Sequence, residues 1–280
     1  MSRVYRALEK AEEEKKRKGK QEAPIKVFEE KVALKKETPV LKFHEEEVER
    51  FELPAQEETP VLIVPPHSFA GEQFRKLKAQ IFHRLSNPPH SILVTSTTPG
   101  EGKTMVAVNL ALAISKEIHR KAVLIDADLR KPSIHLDKSE DRKGLSNYLS
   151  DGVPLSEVLR KSEIENLQII TAGPPAPKAA ELIGSKRMGE FMKSLKEIGD
   201  STYMIIDSPP VFSTTEPVLL SKMVDGVIFV VMAGRAPKEA ISRATKSLDR
   251  EKIIGIVFNQ TELKPSSYYS KYYYRYYRKY

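Results

Sequence analysis

The segment from Ser91 to Thr104 constrains the fold of this chain more than any other stretch. It reads Ser-Ile-Leu-Val-Thr-Ser-Thr-Thr-Pro-Gly-Glu-Gly-Lys-Thr, so a β-branched run leads into a Pro/Gly turn and then into a segment with helical apolar spacing. Strand, glycine-rich loop and helix in this order are typical of a phosphate loop, where backbone N–H groups and the helix N-terminus bind nucleotide phosphates. The residues predicted to contact the nucleotide are Thr98, Pro99, Gly100, Glu101, Gly102, Lys103, Thr104 and Met105.

Two side chains of this loop have predicted chemical roles. Lys103 would reach the β- and γ-phosphates, and the Thr104 hydroxyl would lie on Mg²⁺. The motif departs from the usual pattern at its first position, where Thr97 stands in place of glycine. If that position required a positive φ, threonine would be strained there. The alternative interpretation is a chance glycine-rich turn between a strand and a helix.

Composition and charge limit the classes of protein to which this chain can belong. No apolar run reaches about 18 residues, the length that a membrane-spanning helix needs, and the first residues lack the apolar core of a secretory signal. Cysteine is absent, which excludes disulfides and thiolate metal sites and fits a cytoplasmic location. The formal net charge is +8, but it is concentrated only in the last residues, so charge argues weakly for nucleic-acid binding.

Three regions follow from the distribution of residue types. Residues 1–60 contain one candidate helix, at 3–18, followed by charged residues and prolines, so we predict an N-terminal arm that is disordered beyond this helix. Residues 61–265 form the predicted folded domain, which begins with an amphipathic helix at 68–85. Residues 266–280 hold eight of the eleven tyrosines and show no strand or helix period, so we predict an accessible tail.

Apolar strands alternate with helical segments from Ser91 to Gln260. The predicted strands are 92–95, 122–126, 167–171, 203–207, 227–232 and 253–258. The predicted helices are 103–117, 155–160, 178–183, 187–198, 216–222 and 237–249. This pattern predicts an α/β fold of the P-loop type, with a doubly wound, mostly parallel sheet and helices on both faces. Ligands of such sheets bind beyond the carboxyl ends of the strands, where the motifs of this chain fall.

Acidic residues follow two of the predicted strands. Asp126 and Asp128 end the second strand beside the phosphate loop and, by strand alternation, lie on one side, while Asp207 ends the fourth strand. Carboxylates beside a triphosphate would repel it unless a cation intervenes, so Mg²⁺ is implied. One of the first pair could also accept a proton from an attacking hydroxyl. In the alternative interpretation these aspartates only cap turns. Asn259, which follows the sixth predicted strand, could pair with the edge of an adenine base or could simply form a turn.

Four features together resemble one protein family. They are the loop at 98–104, Asp-Ala-Asp-Leu-Arg at 126–130, Asp-Ser-Pro-Pro at 207–210 and the tyrosine-rich end. Over residues 68–280 the chain resembles the stand-alone cytoplasmic form of the bacterial tyrosine kinases of capsule and exopolysaccharide operons. The resemblance makes the first three motifs Walker A, A′ and B, and it implies ATP and Mg²⁺ as cofactors and phosphorylation of the tail between subunits. The implied phosphoacceptors are Tyr268, Tyr269, Tyr272, Tyr273, Tyr274, Tyr276, Tyr277 and Tyr280.

The resemblance also implies roles for the charged residues. Asp126 would be the base that accepts the tyrosine proton, and the metal and its waters would be held by Thr104, Asp128 and Asp207. The roles of Asp126 and Asp128 could be exchanged. The loop lysine, with Mg²⁺, would stabilise the negative charge of the transferred group, and Arg130 would orient the phosphate or the tail.

A helix of that family with the motif Glu-x-x-Arg-x-x-Arg builds a ring-shaped oligomer. This chain has Glu72, Arg75 and Lys78 at those positions, and lysine cannot pair bidentately as arginine does. The resemblance implies a homo-oligomeric ring, with an octamer as its candidate size, a transmembrane activator of the polysaccharide operon and a protein-tyrosine phosphatase. It further implies a position at the inner face of the membrane, a role in polysaccharide synthesis and export, and no nucleic-acid partner.

Two alternatives come from other classes of protein. A partition-type ATPase of the Min/Par kind shares the fold and two of the motifs, but such ATPases carry a signature lysine where Thr98 stands. A nucleic-acid-binding protein could use the tyrosines and basic residues of the tail to stack and pair, and its binding would be strongly salt-dependent. A eukaryotic-type kinase is excluded because the chain lacks His-Arg-Asp and Asp-Phe-Gly.

Overall fold

The computed structural model describes residues 63–135 and 143–261 of the chain. The predicted arm at 1–60 and the predicted tail at 266–280, with all of its tyrosines, lie outside the described residues. The helix predicted at 68–85 runs from Phe69 to Arg84. It begins there because the Ser68 hydroxyl accepts a hydrogen bond of 3.0 Å from the Gly71 N–H and so caps the first turn.

Seven strands form a single sheet in the described part of the chain. They are β1 (Ser91–Ser96), β2 (Lys121–Asp126), β3 (Arg160–Lys161), β4 (Leu167–Ile170), β5 (Thr202–Asp207), β6 (Gly226–Met232) and β7 (Ile253–Asn259). Their order across the sheet is β3-β4-β2-β5-β1-β6-β7. All neighbouring pairs are parallel except β3 with β4. The predicted α/β class with a mostly parallel sheet is therefore confirmed.

Helices connect most of these strands. They are α1 (Phe69–Arg84), α2 (Lys103–Ser115), α3 (Leu145–Asp151), α4 (Leu155–Val158), α5 (Ala179–Ile183), α6 (Lys186–Lys196), α7 (Glu216–Met223) and α8 (Lys238–Ser247). A 3₁₀ turn, Arg250–Lys252, precedes β7. Within the described ranges, no helix combines the length and the apolar character that crossing a membrane requires.

Apolar side chains on both faces of the sheet pack against helices. Successive strand residues point to opposite faces. Ile92 and Val94 of β1 therefore pack with α1 and α2, whereas Leu93 of β1 and Phe229 of β6 pack with α3, α5, α6 and α7. Because the central strands are buried and apolar on both sides, helices must cover both faces, and the fold is doubly wound as predicted.

The order of the strands decides which motifs meet at the carboxyl edge. β1 lies between β5 and β6, and β5 separates it from β2. In the register of the sheet, Val94 of β1 is level with Asp207, and Asp207 is level with Asp126. β5 therefore separates the end of β2 from β1, an order of strands that the sequence pattern did not specify. Asp207 is the strand-end carboxylate next to β1.

The segment between β2 and β4 differs from the prediction. The helix predicted at 155–160 ends at Val158, and Arg160 begins β3, where it pairs with Ile169. Hydrogen bonds to the edge of β4 are available to this segment and replace those of another helical turn. The helix α3 was not predicted. This helix buries Leu145 and Leu149, which are four residues apart. That spacing is typical of one face of a helix and could have predicted it.

We expect truncation of the core to destabilise the protein far more than the same change at the sheet edge. Phe229 in β6 is 0% exposed, whereas Phe258 in β7 is 61% exposed. Phe229→Ala should lower the free energy of unfolding by about 3–5 kcal/mol, because it removes buried apolar area and leaves a cavity. Phe258→Ala should change it by about 0.5 kcal/mol or less. Urea denaturation measures both values, and equal losses would contradict this assignment of the core.

Candidate nucleotide and metal site

The loop between β1 and α2 leaves the first N–H groups of the helix free to bind an anion. Gly102 precedes α2 with a φ of 90°, a left-handed conformation that glycine adopts without strain. The N-terminus of α2 has no capping side chain, and its first turn has no acidic residue. In the part of the chain that the structure describes, these donors therefore have no side-chain acceptor at the helix start. This is the arrangement that binds phosphate.

Glu101 holds the loop in shape from its interior. Its side chain is fully buried, and Oε1 accepts hydrogen bonds of 2.9 Å from the Thr98 N–H and 2.7 Å from the Thr98 hydroxyl. Thr97, which stands where glycine is usual, does not have a positive φ. Threonine is therefore unstrained at this position, and the departure from the usual motif is compatible with the loop.

Lys103 lies between two carboxylates at the carboxyl edge of the sheet. Its ammonium is 3.8 Å from Asp207 Oδ2, 3.9 Å from Asp128 Oδ2 and 3.1 Å from the Thr104 hydroxyl. Burial lowers the pKa of Lys103, but the attraction of Asp207, Asp128 and Asp126 outweighs it, so the pKa lies above its ordinary value. The lysine is therefore a fixed positive charge in the site.

Asp207 is a buried carboxylate that makes no close hydrogen bond with the described residues. Neither of its oxygens has a partner at bonding distance among the described residues, and its exposure is 0%. The N–H and the hydroxyl of Ser208 each donate a hydrogen bond of 3.2 Å to the Val94 carbonyl, which fixes the end of β5 against β1. Burial raises the pKa of Asp207, although the charge of Lys103 and weak contacts with the Thr104 and Lys103 side chains oppose this in part. A bound cation would supply the interaction that this carboxylate lacks.

Asp126 is engaged within its own loop. Its Oδ2 accepts hydrogen bonds of 2.8 Å from the Ser133 N–H and 3.0 Å from the Ile134 N–H, and its Oδ1 accepts one of 3.0 Å from the Asp128 N–H. Burial and the charge of Asp207 raise the pKa of Asp126 to about 7, against the opposing effect of these backbone donors. Asp126 therefore organises the turn after β2, as in the capping interpretation, whereas Asp128 approaches the lysine.

Arg130 is held by an acidic residue that the sequence did not point to. Its Nε donates a hydrogen bond of 2.8 Å to Oε1 of Glu216, at the start of α7. Burial, at 1% exposure, would raise the pKa of Glu216, but hydrogen bonds led by that of Arg130 outweigh it and lower the pKa. Glu216 therefore remains ionised. The two residues are 86 positions apart, and no local signal identified the pair.

Asn259, Met105 and Arg235 lie on the other side of the loop, toward β6 and β7. Asn259 Nδ2 donates a hydrogen bond of 2.9 Å to the Glu101 carbonyl, and its Oδ1 accepts one from the following N–H. A Cβ at Gly102 would lie 2.1 Å from Asn259 Nδ2 and 4.0 Å from Met105 Cε, so the close approach requires glycine. Asn259 thus braces the loop and forms a turn, and its pairing with adenine stays a prediction. Arg235 was not predicted.

The predicted oligomer contacts lie on α1. Arg75 Nε donates a hydrogen bond of 2.7 Å to the Glu72 carboxylate, and Arg75 Nη1 donates one of 2.8 Å to the Pro66 carbonyl. Lys78 forms an ion pair with Glu117, beyond the end of α2, and its hydrogen bond lowers the pKa of Glu117. Lys78 therefore joins α1 to its own chain, and its contact with a neighbouring subunit stays a prediction.

The oxygens around Lys103 suit a magnesium ion that also binds phosphate. Within residues 63–135 and 143–261, no group of three or more acidic, histidine or cysteine side chains could hold a metal by itself. Mg²⁺ usually takes one or two carboxylates and completes its shell with waters and substrate phosphates. Asp128, Thr104 and the unsatisfied Asp207 offer that set of donors. The residues therefore fit Mg²⁺ bound together with a nucleotide.

Comparison with known proteins places this site in a family. A family model described as an AAA domain matches residues 90–251. The tyrosine-protein kinase YwqD of Bacillus subtilis (strain 168) is 32% identical over 218 residues, which are 76% of this chain and 90% of that protein.

Solved structures agree with this relationship. The crystal structure of the chimerical protein CapA2B2 matches with a TM-score of 0.66 and 30% identity, covering 71% of this chain and 88% of that one. The septum site-determining protein MinD from Pyrococcus horikoshii OT3, complexed with Mg-ADP, matches with a TM-score of 0.50 and 21% identity, over 60% of this chain and 68% of that one. MinD therefore shares the fold alone. With its phosphate loop and acidic motifs in one site and this identity to a named kinase, the chain belongs to the bacterial tyrosine-protein kinases.

Proposed function

We propose that this chain is an ATP-dependent protein-tyrosine kinase that phosphorylates the tyrosine cluster of a neighbouring copy's C-terminal tail. The observation that carries the proposal is the position of Lys103 between Asp128 and Asp207 at a phosphate loop, in a chain with eight tyrosines among residues 266–280. The name of the relative YwqD supports this chemistry. A partition ATPase has less support, since MinD shares only the fold.

The proposed reaction transfers the γ-phosphoryl group of ATP to a tyrosine oxygen. The bond from the γ-phosphorus to the β,γ-bridging oxygen breaks, a bond to the phenolic oxygen forms, and the phenolic proton goes to a carboxylate. Lys103 supplies a fixed positive charge that stabilises the oxygens of the transferred group. The N–H groups at the start of α2 hold the remaining phosphates.

Asp128 is the better candidate for the base. Both oxygens of Asp126 already accept hydrogen bonds from the backbone, and its side chain is fully buried. Asp128 retains some exposure and lies 3.9 Å from Lys103 Nζ. Burial raises the pKa of Asp128, although Lys103 opposes this in part, so its carboxylate is more basic than an ordinary aspartate. These contacts favour Asp128 over Asp126 as the base, and they leave Asp126 the role of holding the loop after β2.

Mg²⁺ fits this mechanism because the site has an excess of negative charge. Three buried aspartates share one ammonium, so the cluster carries unbalanced charge whenever all three are ionised. With Asp128 assigned as the base, Asp207 and the Thr104 hydroxyl are the proposed holders of the ion. When bound, Mg²⁺ would neutralise charge on the carboxylates and the phosphate oxygens.

The family resemblance supports further proposals about partners. The phosphoacceptors are the eight tyrosines between residues 268 and 280, which lie outside the described residues. The exposed Glu72–Arg75 pair on α1 supports a contact between subunits of a homo-oligomeric ring. We further propose a transmembrane activator that keeps the kinase at the inner face of the membrane, an opposing phosphatase, and regulation of capsular or exopolysaccharide synthesis and export.

Lys103→Met should abolish autophosphorylation, because it removes the charge that stabilises the transferred group. Intact-mass spectrometry of the full-length protein, incubated with Mg²⁺ and ATP, should show a ladder of phosphate additions in the wild type and none in the variant. Lys121→Met is the matched control, since Lys121 lies exposed at the opposite end of β2 and should not affect the ladder. A ladder in Lys103→Met, or phosphates outside residues 266–280, would refute the proposal.

Asp207→Asn should stabilise the protein without Mg²⁺, because it removes one of three buried carboxylates that share a single ammonium and leaves the other two to neutralise Lys103. Burial raises the pKa of Asp207 and raises that of Asp126 to about 7, so the folded cluster binds protons that the unfolded chain releases above its ordinary aspartate pKa of 3.8. The contribution of this cluster to the free energy of unfolding of the wild type therefore falls as the pH rises from about 4 to 7. The gain from the variant should reach about 1–2 kcal/mol at pH 8 and shrink toward pH 5.

Urea denaturation in EDTA at the two pH values measures this gain. Asp225→Asn is the control with the opposite sign. Burial would raise the pKa of Asp225, but hydrogen bonds from Lys196 and Ser91 lower it, so the loss of this carboxylate should destabilise the protein at pH 8. If Asp207→Asn destabilised the protein at pH 8, the unbalanced charge in the site would be disproved.

A further inference from the structure

The loop after β6 brings an arginine to the phosphate loop. Arg235 follows Gly234, and a Cβ at Gly100 would lie 3.0 Å from Arg235 Nη2 and 3.2 Å from its Cζ. Gly100 has a φ of 79°, so it lies at a left-handed position in the middle of the phosphate loop. The guanidinium is thus adjacent to the backbone of the loop that is proposed to bind phosphates.

No acidic side chain in the described ranges neutralises this guanidinium. The polar contact of Arg235 is a weak one, 4.0 Å from Nη1 to the Met232 sulfur, and its side chain is exposed. By contrast, Lys103 and Arg130 both have carboxylate neighbours. Arg235 is therefore a positive charge at the loop that is not committed to a carboxylate of the described residues.

The topology of the sheet gives the nucleotide a direction. The carboxylates at the ends of β2 and β5 lie on one side of β1, with the lysine and the proposed metal donors. A nucleotide whose terminal phosphate lies at these carboxylates and whose other phosphates follow the loop would extend toward the ends of β6 and β7, on the other side of β1. Arg235 after β6 and Asn259 at the end of β7 stand on that side, and Asn259 is already bonded to the Glu101 carbonyl.

We propose that Arg235 binds the phosphate chain of the nucleotide from the side of the loop opposite Lys103. The guanidinium is adjacent to the loop backbone at Gly100, which favours the phosphates over the base as its ligand. A planar guanidinium presents paired N–H donors that match two phosphate oxygens. This inference rests on the proposed function, because it requires that the loop bind a nucleotide.

The test measures binding of ADP with Mg²⁺ to the full-length protein by calorimetry, because ADP cannot donate the γ-phosphoryl group. Arg235→Ala should raise the dissociation constant about tenfold, since a charge-assisted contact is lost. Arg235→Lys should recover part of the loss, because it keeps the charge and loses the fork. Arg250→Ala is the matched control, an exposed arginine in the 3₁₀ turn at the opposite end of β7, and should bind as the wild type does.

Ionic strength separates a phosphate contact from a base contact. The affinity of the wild type should fall more steeply with salt than that of Arg235→Ala, because the variant has lost a charge–charge contact. Wild-type affinity in Arg235→Ala would overturn the inference alone. A loss that is equal in Arg235→Lys and that leaves the salt dependence unchanged would also overturn it, in favour of stacking on the base. If the wild type bound no ADP, the result would contradict the proposed function itself, and with it the inference about Arg235.

Discussion

The position of Lys103 among three buried aspartates is the constraint on which the rest of this structure depends. One ammonium lies within 4 Å of two carboxylates, and Asp126, at the end of β2, also raises the pKa of this lysine. Such a cluster is stable only inside a fold that holds each charge in place. The phosphate loop fixes the lysine, and the turn after β5 fixes Asp207. The excess negative charge is the reason for proposing that the working site binds a cation.

The doubly wound sheet supplies the stability that this site lacks. Two apolar cores, one on each face of the central strands, bury side chains almost completely and offset the cost of ionised groups at the carboxyl edge. The division is spatial, since apolar residues fill the strands while polar residues begin where the strands end. A site that is poorly satisfied without its ligands is the usual compromise between stability and function. The unsatisfied oxygens of Asp207 are the clearest instance.

Local patterns predicted most strands, the phosphate loop and the acidic ends of two strands, because each of these is written in a short stretch of residues. These local patterns do not specify the order of the strands in the sheet, so the position of β5 between β1 and β2 was not predicted. Asp126 and Asp128 looked equivalent in the sequence, and only the path of the loop to Ile134 shows that Asp126 serves the backbone. The contacts of Glu216 and Arg235 with the site were also not predicted. Each reaches the site from a distant part of the chain, through tertiary contacts that leave no local period.

Mixing two full-length variants tests most directly whether the lysine of one chain acts on the tail of another. One variant carries Lys103→Met and keeps its tyrosines, and the other keeps Lys103 and has all eight tail tyrosines replaced by phenylalanine. Intact-mass spectrometry after incubation with Mg²⁺ and ATP distinguishes the two chains. We predict phosphates on the Lys103→Met chain in the mixture and on neither chain alone. A silent mixture beside a phosphorylated wild type would contradict transfer between copies and place the reaction within one chain.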